Sequence, residues 1–117
     1  MYDELKDSHF SELLLWIIRL RRRFRITGNS MTPLLKPGDE VLVNPRAYRK
    51  MLPKPGDIIV ARHPYRMDLR LVKRVVEVFS DGRCFLSGDN PSESTDSRSF
   101  GAVTPEQILG RVTSRFT

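Results

Sequence analysis

Cysteine and histidine are scarce in this sequence, and each shortage excludes a class of chemistry. The single cysteine, Cys84, excludes an intramolecular disulfide, which fits a reducing compartment. The two histidines, His9 and His63, do not stand with cysteines or acids at the spacing of metal ligands. We therefore expect neither a metal site nor another cofactor.

Long apolar runs are also absent. Glu12 and Arg19 bracket the longest apolar stretch, which has six residues, whereas a membrane-spanning helix needs about 20. The arginine run follows this stretch, but the charged region of a secretory signal peptide precedes its apolar region. We therefore expect an amphipathic helix over roughly residues 8–20, N-capped by Ser8 or Asp7. It could pack on its own domain, on a second subunit or on a membrane.

Negative charge is outnumbered by positive charge, and the excess is uneven. The formal net charge is +6, which suggests an anionic partner such as nucleic acid, a membrane surface or an acidic substrate. Five arginines fall within seven residues that contain no acid: Arg19, Arg21, Arg22, Arg23 and Arg25. This run indicates a solvated basic turn or a peripheral contact with an anionic membrane. It is not interleaved with surface aromatics, so we expect no nucleic-acid partner.

The length of 117 residues fits one domain with a modest core. Short apolar segments between proline- and glycine-rich turns predict five strands: Glu40–Asn44, Asp57–Arg62, Arg70–Phe79, Arg83–Ser87 and Ile108–Thr113. We expect a long loop over Gly88–Ser99 and a helical turn at Thr104-Pro105-Glu106. The predicted fold is mostly β, a small antiparallel β-barrel-like domain over residues 26–117, preceded by an N-terminal amphipathic helix and basic segment over residues 1–25.

Lys73 is unusual among the charged residues of the predicted strands. Because side chains alternate between the two faces of a strand, Lys73 shares its face with Leu71 and Val75. Burial among apolar groups lowers the pKa of a lysine, which can then take a proton from a serine hydroxyl. Ser-Lys pairs are a recognised variant of serine-protease chemistry. The opposite face carries Val72 and Arg74, so the pattern leaves open which face is buried.

Four segments of the sequence occur in the order and approximate spacing of type I signal peptidases, and the chain resembles that family over roughly residues 26–113. The segments are Ser30-Met31 with Pro33, Pro55-Gly56-Asp57-Ile58-Ile59, Val72-Lys73-Arg74, and Gly88-Asp89-Asn90 followed by Ser94, Asp96-Ser97-Arg98 and Phe100-Gly101. The resemblance implies the fold of a signal-peptidase catalytic domain.

The resemblance also implies a catalytic dyad and a supporting shell. It makes Ser30 the nucleophile, Lys73 the general base and Ser94 the hydroxyl that orients the lysine. Five further positions correspond to residues that support the site without taking part in the chemistry: Met31, Pro33, Arg74, Asp96 and Arg98. Met31 and Pro33 would shape the turn and pocket at the nucleophile, and the other three would form a charged cluster.

The chain departs from the bacterial export peptidases at several points. Gly28 lies where many of them carry a serine that donates to the oxyanion, so this donor must come from backbone N–H groups, including that of Ser30, or from Asn29. Leu34 follows Pro33 where threonine is common. The membrane-spanning anchors and the large inserted second domain of these enzymes are missing.

This chain is small, lacks a membrane-spanning segment and carries the motif Gly28-Asn29-Ser30-Met31. In these features it resembles the maturation proteases of nickel-type superoxide dismutase. We therefore expect a cytoplasmic serine endopeptidase that removes a short N-terminal leader from a precursor protein. Its oligomeric state and any peripheral membrane contact remain open.

Three other functions compete with this prediction. One is a general signal peptidase that acts on exported preproteins. Another is a self-cleaving protease of the repressor type, which the roughly 25 residues before the β domain are too few to support, since it needs a helix-turn-helix. The third is a basic nucleic-acid-binding β-barrel without enzymatic activity.

Overall fold

A computed structural model describes Leu5, residues 10–17 and residues 20–116 of the chain. The elements, in chain order, are helix α1 (Phe10–Ile17), strands β1 (Arg22–Arg25), β2 (Glu40–Asn44), β3 (Ile58–Arg62), β4 (Arg70–Val78) and β5 (Cys84–Ser87), the short helix α2 (Ser97–Phe100), and strand β6 (Ile108–Arg115). The strands form one antiparallel sheet in the order β1-β2-β6-β3-β4-β5. The prediction of a mostly β, antiparallel fold is confirmed.

Two Pro-Gly-Asp turns determine where β2 and β3 begin. In the first turn the Asp39 carboxylate accepts the backbone N–H of Lys36 at 2.9 Å, and in the second Asp57 accepts that of Lys54 at 3.0 Å. These side-chain bonds stabilise each turn locally, so the strand starts can be predicted from the sequence. All five predicted strands are present, and the helical turn near Thr104 is a 3₁₀ turn over Pro105–Gln107.

The sheet carries a hydrophobic cluster on each face. The first cluster is formed by Ile26, Met31, Leu35, Val41, Val43, Ile58, Val60, Val72 and Val112. The second cluster is formed by Ile59, Ala61, Val75, Cys84, Leu86, Phe100 and Val103. Strands β3 and β4 contribute to both clusters, so they are buried on both faces. Cys84 is a small core residue, and burial raises the pKa of its thiol to about 11.

Strand β1 corrects the prediction that the arginine run is a basic turn. Residues 22–25 pair with β2, in a register that places Arg25 opposite Glu40. Arg23 and Arg25 both form ion pairs with the Glu40 carboxylate. The sheet therefore begins within the segment that we assign to the helix and basic region. The strand is hidden in the sequence because its stabilising acid lies 15 to 17 residues away.

The segment Gly88–Ser99 corrects the prediction of a long loop. It contains a 3₁₀ turn over Pro91–Glu93 and the start of α2. Asp96 caps α2, because its side chain accepts the backbone N–H of Arg98. This cap explains why a polar stretch without apolar periodicity becomes helical.

Helix α1, described over Phe10–Ile17, lies within the predicted range of residues 8–20 and packs on its own domain. The Glu12 carboxylate accepts hydrogen bonds from the hydroxyls of Thr113 and Ser114 in β6. The rings of Trp16 and Phe116 meet edge to face, with 4.8 Å between their centroids. The predicted cap at Ser8 or Asp7 lies outside the described residues. No helix in the described part of the chain has the length and apolarity that a bilayer crossing requires.

Candidate active site

Lys73 is buried in the middle of β4. It lies opposite Ile59 of β3, and only 4% of its surface is exposed. Ile59 and the neighbouring Val75 belong to the second cluster, so the predicted apolar face around this lysine is present. The ammonium nitrogen Nζ donates a hydrogen bond to Ser94 Oγ at 3.0 Å.

The surroundings of Lys73 favour its neutral form. Burial lowers the pKa of Lys73, because removal from water destabilises the charged amine. The negative charge of Asp96 acts in the opposite direction, and the positive charge of Arg98 lowers the pKa further. The net result is a pKa below the ordinary 10.5 of lysine. A larger fraction of the amine is therefore available as a base near neutral pH.

Ser94 connects Lys73 to the buried carboxylate of Asp96. Ser94 Oγ lies 3.0 Å from Asp96 Oδ2, which also accepts the backbone N–H of Gly88 at 3.1 Å. Burial alone would raise the pKa of Asp96, but hydrogen bonds from Arg98, Gly88 and Ser94 together lower it. The ionised carboxylate only accepts hydrogen bonds, so Ser94 donates to Asp96 and accepts from Lys73. This arrangement leaves the lone pair of a neutral Lys73 free for another proton.

Ser30 lies in a turn that is hydrogen-bonded to the segment after β5. The Ser30 carbonyl accepts the backbone N–H of Asn90 at 2.8 Å. The Asn90 side-chain amide donates to the Asn29 carbonyl at 3.2 Å and to Thr32 Oγ1 at 3.0 Å. The next residue, Met31, is buried in the first cluster. Ser30 itself is half-buried, between this anchored core residue and the exposed segment before it.

Gly88 is the point where the Ser30 turn meets the Lys73 network. A Cβ atom on Gly88 would lie 2.2 Å from Ser94 Oγ and 2.7 Å from the Ser30 carbonyl oxygen, so only glycine fits there. The structure thus brings Ser30, Ser94 and Lys73 into one region. Within this region, the Lys73 amine donates its hydrogen bond to Ser94 Oγ.

The predicted charged cluster is divided into two ion pairs. Arg74, which is 5% exposed, forms a two-pronged pair with Asp89, with both N–O distances 2.9 Å. Its third nitrogen donates to the Gly56 carbonyl at 2.9 Å. Arg98 instead pairs with Asp96 at 2.9 Å. The Arg74–Asp89 pair joins β4 to the segment after β5, whereas the Arg98–Asp96 pair lies within the segment that carries Ser94.

Gly28 and Asn29, the predicted oxyanion positions, lie in the exposed segment that leads into Ser30. Gly28 has a φ of +77°, which favours glycine, and open space lies where a Cβ would point. A serine side chain therefore has room here but meets a backbone penalty. The peptide bond between Thr32 and Pro33 is cis.

Three residues of the site were given no role from the sequence: Gly88, Asp89 and Asn90. They form the Gly-Asp-Asn motif, which carried the family resemblance but also fits an ordinary loop. Their roles depend on contacts with residues far away in the chain, so the motif itself was the one available signal. The described residues include no group of His, Cys, Asp and Glu side chains that could hold a metal ion.

Comparison with known proteins matches this chain to one protein family and to several of its members. The family model described as signal peptidase, peptidase S26, matches residues 10–81 and 76–117. The chain is 32% identical over 108 residues to mitochondrial inner membrane protease subunit 1 of Xenopus tropicalis, covering 76% of this chain and 65% of the relative. It is 35% identical over 107 residues to mitochondrial ATP-independent inner membrane protease subunit 1b of Arabidopsis thaliana, covering 73% and 63%.

A bacterial relative is similar to this chain over a smaller share of its own length. Signal peptidase I of Pseudomonas aeruginosa is 31% identical over 101 residues, which cover 74% of this chain and 33% of the relative. The chain thus spans less than two thirds of the length of each of these three proteins. Since the family model matches nearly the whole of the described chain, this protein belongs to the signal peptidase, peptidase S26, family.

Proposed function

We propose that this chain is a serine endopeptidase that removes a short N-terminal leader from a precursor protein, with Ser30 and Lys73 as its catalytic dyad. The observation that carries the proposal is the buried amine of Lys73, which lies 3.0 Å from Ser94 Oγ. Ser94 and the Ser30 carbonyl both pack closely against Gly88, so the amine and the Ser30 turn lie in the same region. Membership of the signal peptidase family supports the same chemistry.

In the first step, the Ser30 hydroxyl attacks the carbonyl carbon of the scissile peptide bond. The neutral amine of Lys73 takes the hydroxyl proton as the new C–O bond forms. Ser94 and Asp96 keep the amine in position, because they occupy one of its N–H groups and leave its lone pair free. The carbonyl oxygen becomes an oxyanion in the resulting tetrahedral intermediate.

The oxyanion needs hydrogen-bond donors close to Ser30. Gly28 has no side chain to offer, so the backbone N–H of Ser30 is the first candidate and Asn29 the second. Both lie in the segment that is held in place by a hydrogen bond from the Asn90 side-chain amide to the Asn29 carbonyl. Fixed donors of this kind stabilise developing charge without rearrangement.

In the second step, Lys73 returns the proton to the departing amine, which leaves as the new N-terminus of the mature protein. The leader remains attached to Ser30 as an ester. A water molecule then attacks this ester, with Lys73 again taking the proton, and the leader departs with a free carboxylate. Lys73 returns this second proton to the departing Ser30 oxygen, so the enzyme is regenerated.

The first candidate substrate is the precursor of a nickel-type superoxide dismutase. The Gly28-Asn29-Ser30-Met31 motif supports this narrower proposal, and the nickel belongs to the substrate. The relatives named signal peptidase I favour the second candidate, an exported preprotein. Both candidates present an extended leader, which can add as a strand beside a β domain.

The test uses both precursors in parallel. Each is incubated with the purified chain and with its Ser30→Ala variant, and the new N-termini are determined by mass spectrometry. We expect one cut near the N-terminus of the dismutase precursor by the wild-type chain and none by the variant. Cleavage of the exported preprotein alone would replace the narrower substrate by the general one. If neither precursor is cut, or if the variant cuts as well as the wild type, the proposal is wrong.

A further inference from the structure

A pocket of about 360 Å³ lies beside the first cluster and combines apolar walls with positive charge. Phe24 of β1 and Val60 of β3 contribute to its apolar lining. Three arginines contribute the charge: Arg22 and Arg23 from β1, and Arg70 from β4. The sheet is curved enough for β1 and β4, which are not neighbours in it, to line the same pocket.

The charge of this pocket is only partly neutralised. Arg23 forms an ion pair with Glu40 and lies over the ring of Phe116, 4.4 Å from its centroid. Within the described residues, no carboxylate forms an ion pair with Arg22 or Arg70. The register of β3 and β4 adds Arg62 directly opposite Arg70. The pocket therefore presents uncompensated positive charge beside apolar surface, which is complementary to an acidic side chain.

The pocket lies along two strands that lead toward the proposed dyad. β1 and β4 run in the same direction, since three antiparallel strands in the order β2-β6-β3 lie between them. Both strands run from the pocket toward the site. Arg70 precedes Lys73 by three residues of β4, which corresponds to about 10 Å along the strand, and Phe24 precedes Ser30 by six residues. Arg70 lies on the face of the first cluster and Lys73 on the face of the second, and the side chains of an extended peptide alternate between two faces in the same way.

The backbone along this path has unpaired edges in the part of the chain that the structure describes. β1 is the outermost strand on its side of the sheet. In β4, residues 70–73 pair with β3, whereas pairing with β5 begins at Arg74. An extended peptide could therefore add its own main chain along these edges and reach from the pocket to Ser30.

We infer that this pocket selects an acidic side chain in the leader, about three to five residues before the scissile bond. This inference rests on the proposed function and specifies its substrate class. The leader is assigned to the pocket because it is the part of the precursor that the proposed protease must recognise. The apolar walls receive the methylene groups of the acidic residue, and Arg70 and Arg22 receive its carboxylate.

The test is a library of synthetic peptides in which Glu or Gln is fixed at one position and the other positions are mixed. Products are sequenced by mass spectrometry, so each cut reports both its position and its preference. We expect Glu to be enriched over Gln about fivefold at positions three to five before the cut, as for a partly exposed ion pair. The enrichment should fall as sodium chloride is raised, because salt screens the attraction.

Variants assign the preference to the pocket. Arg70→Gln should abolish the enrichment, and Arg22→Gln should reduce it. Arg70→Glu should change the preference from Glu to Lys at the same positions. Arg66→Gln is the matched control, because it removes an exposed arginine from the same hairpin outside the pocket. Equal cutting of Glu and Gln peptides, an acidic preference that survives Arg70→Gln, or one confined to residues after the cut would each overturn the inference.

A binding measurement separates this inference from the proposed function. Fluorescence anisotropy of labelled Glu and Gln peptides is measured with the Ser30→Ala variant, which retains the pocket. If wild-type protein cuts no peptide, the proposed function fails, and anisotropy then decides about the pocket. Tighter binding of Glu peptides that disappears in the Ser30→Ala, Arg70→Gln double variant supports an acid-selective pocket. Equal binding of both peptides overturns it.

Discussion

Lys73 Nζ and Ser94 Oγ are joined by a 3.0 Å hydrogen bond, although the two residues are 21 positions apart in the chain. Ser94 in turn donates to the buried Asp96. Because this carboxylate fixes the direction of the Ser94 hydroxyl, the serine acts toward the lysine as an acceptor. We therefore propose Ser94 as a positioning residue for the proposed base, and the role of Lys73 can be tested through the pH dependence of cleavage.

The pH dependence of cleavage should follow the deprotonation of Lys73. Burial holds the pKa of Lys73 below 10.5, and the general base must be neutral to accept a proton. Activity should therefore be low in acid and rise with pH through this lowered pKa. The measurement is kcat/KM for a fixed peptide from mildly acidic to alkaline pH. A flat profile over that range would point to a base other than Lys73.

Replacing Ser94 with Ala should reduce kcat about 100-fold, which is the lower range of a general base's contribution. The variant removes the acceptor that orients the Lys73 amine but leaves the amine itself in place. KM should change little, because Ser94 is not proposed to bind substrate. Ser99→Ala is the matched control, since Ser99 is exposed on α2 nearby. Equal activity of the two variants would contradict a positioning role for Ser94.

Replacing Asp89 with Asn should destabilise the fold by about 3 kcal/mol, the usual effect of removing one member of a buried ion pair. The carboxylate accepts two hydrogen bonds from the buried Arg74. The measurement is the free energy of unfolding from urea titration. Asp81→Asn serves as the control, because its pair with Arg83 is exposed on both sides and its loss should leave the transition midpoint unchanged. Similar midpoints for the two variants would show that the Arg74–Asp89 pair contributes little.

Removing residues 1–20 should lower the stability of the β domain. The deletion takes away Glu12, which accepts hydrogen bonds from Thr113 and Ser114 of β6, and Trp16, which packs on Phe116. Trp16→Ala alone should lower the free energy of unfolding by about 1 kcal/mol through loss of the ring pair. Thermal melting of the three proteins gives the comparison. A truncated protein that melts at the wild-type temperature would mean that α1 does not stabilise the sheet.

Much of this fold is predictable because its determinants are local. The turns before β2 and β3 combine Pro, Gly and an Asp that accepts a backbone N–H within the same turn. Alternation also predicts the apolar face of Lys73, although the sequence cannot tell that β4 is buried on both faces. Ser94 was found through the family resemblance, since a serine in a polar segment has no distinguishing local pattern.

The features that escaped prediction depend on distant partners. Strand β1 contains three arginines in four residues, and its fit becomes clear only when Glu40 lies opposite. Asp89 pairs with an arginine 15 residues earlier, and Gly88 is required by two atoms that arrive from separate segments. In each case the sequence carries the residue but not the contact that gives it a role.

The arginines of β1 also bear on how the protein avoids self-association. Within the described residues the outer edge of β1 is unpaired, and an edge that could add an extended peptide is also offered to a second copy of the same chain. β1 limits this risk because it has only four residues, of which Arg22, Arg23 and Arg25 carry positive charge. Two such edges repel one another, whereas an acidic peptide is attracted. The charges proposed to attract an acidic leader thus also disfavour pairing between the β1 edges of two copies.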